Sequence, residues 1–133
     1  MTKTILAVDD DGSVLEFYKI AFRRHSQAYE LLITTNPLEA FSTIDKKAKT
    51  GSSIDLLITN LNMPELGGLD LIRNARAVSP QTKFMLCSGR EESEINQLIA
   101  RLRNEGIEVK YLPPSYLWDT DNLIGEVKSL IGE

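Results

Sequence analysis

One cysteine, one histidine and one tryptophan occur in the 133 residues, and these scarcities exclude several kinds of protein. A lone Cys87 rules out an internal disulfide, and its place in the apolar run Phe84 to Cys87 reads as a buried structural thiol. His25 falls near the end of a helical segment, where it reads as an exposed helix-end residue rather than a metal ligand or relay histidine. No long hydrophobic run is present. The stretch Met1 to Val8 holds one lysine and a short apolar segment that runs straight into acids, too little for a signal peptide or a membrane span. A cytoplasmic protein with no membrane role is expected. Excess positive charge is also missing: 15 Lys and Arg face 19 Asp and Glu, for a net charge of −4. That balance lacks the electrostatic footprint of a nucleic-acid binder. Arg23-Arg24 and Lys46-Lys47 with Lys49 read as solvated helix faces.

What remains is an ordinary globular composition, 42% hydrophobic and 26% charged, over a length suited to one domain spanning residues 1–133. Short apolar runs alternate with segments of helical periodicity, the pattern of a parallel sheet covered by crossover helices. Candidate strands are Ile5 to Val8, Leu31 to Thr34, Leu56 to Thr59, Phe84 to Cys87 and Ile107 to Leu112. Between them lie apolar stripes: Val14, Phe17, Tyr18 and Ala21; Leu38, Phe41, Ile44 and Ala48; Leu71, Ile72 and Ala75; Ile95, Leu98, Ile99 and Leu102; Leu123, Val127, Leu130 and Ile131. Ser13 is suited to cap the first helix, Pro37 to open the second, and Gly106 to follow the fourth in a left-handed cap. Lys46 to Ser53 is polar enough for a mobile loop. Trp118, in a polar-flanked stretch, is a candidate for partner contact from a half-exposed position.

A (βα)5 α/β fold of this kind gathers its site in the crevice at the carboxyl ends of the strands. The loops concerned begin at Asp9, Asn60, Ser88 and Pro113. Asp9, Asp10 and Asp11 are adjacent, and their mutual repulsion calls for a cation or a basic partner. Asp9 and Asp10 are the candidate ligands for Mg2+, whereas Asp11 suits a solvated turn whose charge favours a helix N-terminus.

The third candidate strand continues into "DLLITNLNMPELGGLDL", and with "ILAVDDD", "FMLCSG" and "VKYLPPSYL" the chain resembles a response regulator receiver domain. The resemblance implies a flavodoxin-like, three-layer fold with a five-stranded parallel sheet in the order 2-1-3-4-5. It matches Asp9 and Asp10 to the family's acidic pair, and Met63-Pro64 with Gly67-Gly68 to the turn after the third strand. Counting back from Pro64 places Asn60 at the phosphoacceptor position, where an amide cannot form an acyl phosphate. Asn62 falls where a backbone carbonyl completes a Mg2+ site. Ser88 matches the hydroxyl that senses the phosphoryl group, although such a serine also serves simply to satisfy a loop amide. Pro113 takes the place of the family's lysine, or Pro114 does in a register shifted by one; neither supplies the charge. The switch aromatic is Tyr111 in the shifted register, while Lys110 takes that place in the other. Packing against the last helix is the plainer use of Tyr111.

These matches imply a non-enzymatic signalling module of a two-component or phosphorelay system, a pseudo-receiver acting through protein contacts. With no output domain attached, its expected partner is a histidine kinase or an output protein, met through the fourth helix, fifth strand and fifth helix. A monomer or weak homodimer is expected. Two alternatives stay open. Asn60 would be an engineered replacement of an aspartate, or "VDDDGS" would mark a small haloacid dehalogenase-like phosphatase. In the latter, Asp9 is the nucleophile, Asp11 the general acid/base and Ser88-Gly89 the phosphate-binding motif.

Overall fold

The computed structural model describes residues 2–132. Strands β1 (Lys3–Val8), β2 (Tyr29–Thr34), β3 (Leu56–Asn60), β4 (Lys83–Cys87) and β5 (Val109–Leu112) alternate with helices α1 (Gly12–Arg23), α2 (Pro37–Lys49), α3 (Gly68–Val78), α4 (Glu92–Asn104) and α5 (Thr120–Ile131). All strand pairs are parallel, and the sheet order is β2-β1-β3-β4-β5, as the resemblance implied. Among the described residues, no helix is long and apolar enough to cross a membrane.

Alternation along each strand splits the core into two layers, because successive side chains point to opposite faces. Leu6, Val8, Leu57, Phe84, Leu86 and Val109 pack with α2, α3 and α4. Ile5, Ala7, Ile58, Met85, Cys87 and Leu112 pack with α1 and α5. Helices thus cover both faces, and the central strands β1, β3 and β4 are buried along most of their length, which is why they read as continuous apolar runs.

Several local expectations need correction. The cap of α1 is Asp11, not Ser13: its carboxylate accepts from the Ser13 backbone N–H at 2.9 Å and from the Ser13 hydroxyl at 2.6 Å. A charged acceptor at a helix N-terminus serves better than a hydroxyl two residues further in. The polar segment from Lys46 is not all loop, since α2 continues to Lys49 and closes on Thr50. The stripe of α2 keeps Phe41 and Ile44 against the core but loses Leu38. Pro37, Ala40 and Ile44 face the core, and Leu38 is left 48% exposed. Pro37 does open this helix, behind an Asn36 side chain that accepts from the Leu38 N–H at 2.9 Å.

Ile107 does not belong to β5. After α4, Gly106 adopts φ +83° as expected, and the Ile107 and Gly106 N–H groups return to the Leu102 and Arg103 carbonyls, both at 2.9 Å. This Schellman arrangement consumes Ile107 in ending the helix. His25 lies half-buried just past α1, within the turn that leads to β2.

Candidate functional site

Strand order reverses beside β1, so the loops leaving β1 and β3 diverge to opposite faces and open a crevice between them. Asp9, Asp10, Asn60, Ser88 and Pro114 line the resulting cleft, with Cys87 at its floor. The structure therefore brings together the sequence-derived residues at the ends of β1, β3 and β4. Of the two prolines after β5, Pro114 reaches the cleft lining.

Asp9 is 6% exposed, and its carboxylate accepts the Asp11 N–H at 2.9 Å. Burial pushes its pKa from 3.8 up to about 6, helped by the neighbouring charges of Asp10 and Asp11 and only partly offset by the hydrogen bond. Asp10 is exposed beside it. Asp11 behaves differently: its hydrogen bonds with Ser13 hold its carboxyl below the ordinary range. The Asp11 carboxylate is thus engaged in capping α1.

Asn60 ends β3 with its side chain fully engaged. Its carbonyl oxygen accepts the Leu61 N–H at 2.8 Å, and its amide nitrogen donates to the Asp10 carboxylate at 3.3 Å and to the Asn62 backbone carbonyl at 3.1 Å. These partners settle the orientation, because flipping the amide would set donor against donor at Leu61 and acceptor against acceptor at Asp10 and Asn62. The backbone here is held closely by α3: a Cβ on Gly68 would lie 2.1 Å from the Asn60 carbonyl oxygen. That contact explains the second glycine of Gly67-Gly68 by close approach rather than by turn conformation.

On the far side, the Ser88 hydroxyl accepts the Arg90 N–H at 3.2 Å, the loop-satisfying use of a serine weighed above. Tyr111 reaches back from β5, its hydroxyl 3.4 Å from the Ser88 carbonyl. It packs in the layer with α2, α3 and α4, not against the last helix; neighbouring Lys110 points the other way, to Glu126 on α5 at 3.2 Å. Beneath the cleft, burial raises the Cys87 thiol to about 11, so it stays protonated and structural. Arg90 is a residue beside the site that the sequence reading missed. It donates to the Asn62 side-chain carbonyl at 3.2 Å and pairs with Glu94; its position two residues beyond Ser88 was the available signal.

A doubly wound parallel sheet with an acidic cleft at its switch point defines this chain as a receiver-type α/β module. The model of the response regulator receiver domain matches residues 5–117, and the chain belongs to that family, placing it in two-component signalling. It is 36% identical over 74 residues to the chemotaxis protein CheY1 of Helicobacter pylori strain J99, covering 55% of each chain. It is 28% identical over 87 residues to the receiver protein CpdR of Brucella abortus, covering 65% of this chain and 67% of that one. The chain thus spans little more than half the length of the first of these relatives. Among solved structures, a response regulator from Thermotoga maritima superposes with a TM-score of 0.78 over 100% of both chains at 22% identity. The receiver domain of the hybrid histidine kinase CckA does so with 0.69 at 28% identity, over 96% of this chain and 98% of that one.

Receiver domains typically bind Mg2+ at an acidic pocket. The residues that would do so here, Asp9, Asp10 and the Asn62 carbonyl, do come together, but they do not fit the ion as arranged. The Asn60 nitrogen already lies between two of the three oxygens. Among the described residues, no group of three His, Cys, Asp or Glu side chains is placed to hold a metal.

Proposed function

We propose that this receiver-family chain is a cytoplasmic signalling module that works by protein contact and neither accepts a phosphoryl group nor catalyses a reaction. The observation carrying this reading is Asn60. At the end of β3, where the family's acceptor carboxylate is matched, stands a carboxamide whose nitrogen and oxygen are both hydrogen-bonded. An amide offers no oxygen nucleophile for an acyl phosphate. A second support is that no lysine is among the described residues lining the cleft, so a phosphoryl group would meet Asp9 and Asp10 without the point charge that offsets them. Pro114, as a cleft residue, is the counterpart of that lysine under this reading, and Tyr111 the counterpart of the switch aromatic.

The partner, a histidine kinase or an output protein, would be met on the face made by α4, β5 and α5. Tyr111 links that face to the cleft through Ser88. Trp118, 70% exposed and edge-on to Phe17 at 5.4 Å, offers an aromatic anchor outside it.

Intact-mass measurement after incubation with acetyl phosphate and Mg2+ tests the reading, with Asn60→Asp in parallel. The chain as given should gain no phosphoryl mass, and any adduct should be confined to Asn60→Asp. A stable adduct on the given chain overturns the proposal.

A further inference from the structure

The Asn60 carboxamide occupies the position where the two acidic-cleft oxygens converge. Its nitrogen carries two hydrogens and has two acceptors, the Asp10 carboxylate at 3.3 Å and the Asn62 carbonyl at 3.1 Å. A carboxamide can satisfy both at once, one hydrogen to each. The other end of the side chain is pinned by the Leu61 N–H at 2.8 Å, so the nitrogen cannot turn away without leaving that donor unpaired. One oxygen of Asp9 is engaged by the Asp11 N–H at 2.9 Å, which leaves its other oxygen as the acceptor this residue can offer the cleft. Arg90 contacts the Asn62 side chain at 3.2 Å, its charge already balanced by the ion pair with Glu94.

We infer that the Asn60 amide is a built-in stand-in for a divalent cation: its partial positive hydrogens tie the Asp10 carboxylate to the β3–α3 loop and close the cleft to metal. Mg2+ demands oxygen ligands at about 2.0–2.1 Å in near-octahedral geometry and gives up water reluctantly. To enter, it would have to expel the amide nitrogen and break the Leu61 contact. The cleft is thereby held in one arrangement without an ion. This inference rests on the same reading of Asn60 as the proposed function, but it concerns metal and is tested without any phosphoryl donor.

The experiment is a Mn2+ titration of the 15N-labelled chain, followed by paramagnetic broadening of the backbone amide signals of Asp10, Leu61 and Asn62, with thermal melts in Mg2+ alongside. The given chain should show no saturable, site-localised broadening and no Mg2+-dependent shift in Tm. Asn60→Asp replaces the donor with a third carboxylate and should gain Mn2+ affinity by about ten-fold or more, with a Tm that rises with Mg2+. Adding Asp10→Ala to that variant should remove both effects. Asn60→Ala keeps the test decisive if the crowded carboxylates of Asn60→Asp prevent folding, since removing the amide alone should also raise Mn2+ affinity.

Saturable broadening in the given chain that Asp10→Ala abolishes would overturn the inference. So would failure of both Asn60 variants to gain metal. Metal binding by a given chain that still forms no phosphoryl adduct would sink the stand-in role while leaving the contact-only reading intact.

Discussion

Asp9 and Asn60 show how much of this cleft depends on single side chains. Asp9 is an acid whose proton is held more tightly in the folded state, its pKa raised from 3.8 to about 6 chiefly by burial. Its contribution to stability is therefore complete below about pH 4 and is lost as the pH rises through about 6, by up to about 3 kcal/mol. In chelator-containing buffer the urea midpoint should fall across that window, and Asp9→Asn should flatten the fall. Equal slopes for the two proteins would show that Asp9 ionises in the cleft without penalty. Below this window Asp11 and Glu105, whose carboxyls are lowered by their partners, pull in the opposite direction. The comparison with Asp9→Asn separates the effects.

Among the elements, α3 and α4 are joined by a clamp between residues distant in sequence. Arg73 on α3 meets both carboxylate oxygens of Glu105, the cap of α4, at 2.8 and 2.9 Å, and also pairs with Asp70 on its own helix at 3.2 Å. Bidentate geometry matches a planar guanidinium and is lost with a lysine. Because the pair is partly exposed, its net effect on global stability should be small. Its local effect is to hold the carboxyl end of α4, part of the face proposed for partner contact. Arg73→Lys should leave the melting curve almost unchanged while speeding hydrogen exchange at Leu102 to Glu105. Unaltered exchange there would mean that the Schellman turn at Gly106 alone secures the helix end.

For the molecule as a whole, one sheet serves two cores. Leu57 and Ile58 are neighbours on β3, both 0% exposed, yet they belong to opposite layers. Truncating either to alanine should cost about 2–5 kcal/mol, and in each case denaturation should remain one cooperative transition, because the central strand belongs to both layers. Separate transitions by near- and far-ultraviolet circular dichroism would show that the layers unfold independently. The carboxyl-terminal end is bound into the same unit: the Tyr29 hydroxyl donates to the Gly132 carbonyl at 2.8 Å, joining the start of β2 to the end of α5.

The sequence by itself determined the alternation of strands and helices, the glycine stop after α4, and the acids, amide and serine that meet at the strand ends. Those features rest on periodicity and on neighbours a few residues apart, which the linear order displays. Its misplacements were local competitions: Asp11 outbid Ser13 as a cap, Ile107 went to a helix end rather than a strand, and Ala40 took the buried place expected of Leu38. Only the tertiary structure decided the burial that raises Asp9, the choice of Pro114 over Pro113 as a cleft residue, and the reach of Arg90 to Asn62. It also decided which way the Asn60 amide points. Leu61 and Asn62, its near neighbours, share in fixing that orientation, but the contact to Asp10, 50 residues away in sequence, exists only once the sheet has brought β1 and β3 side by side.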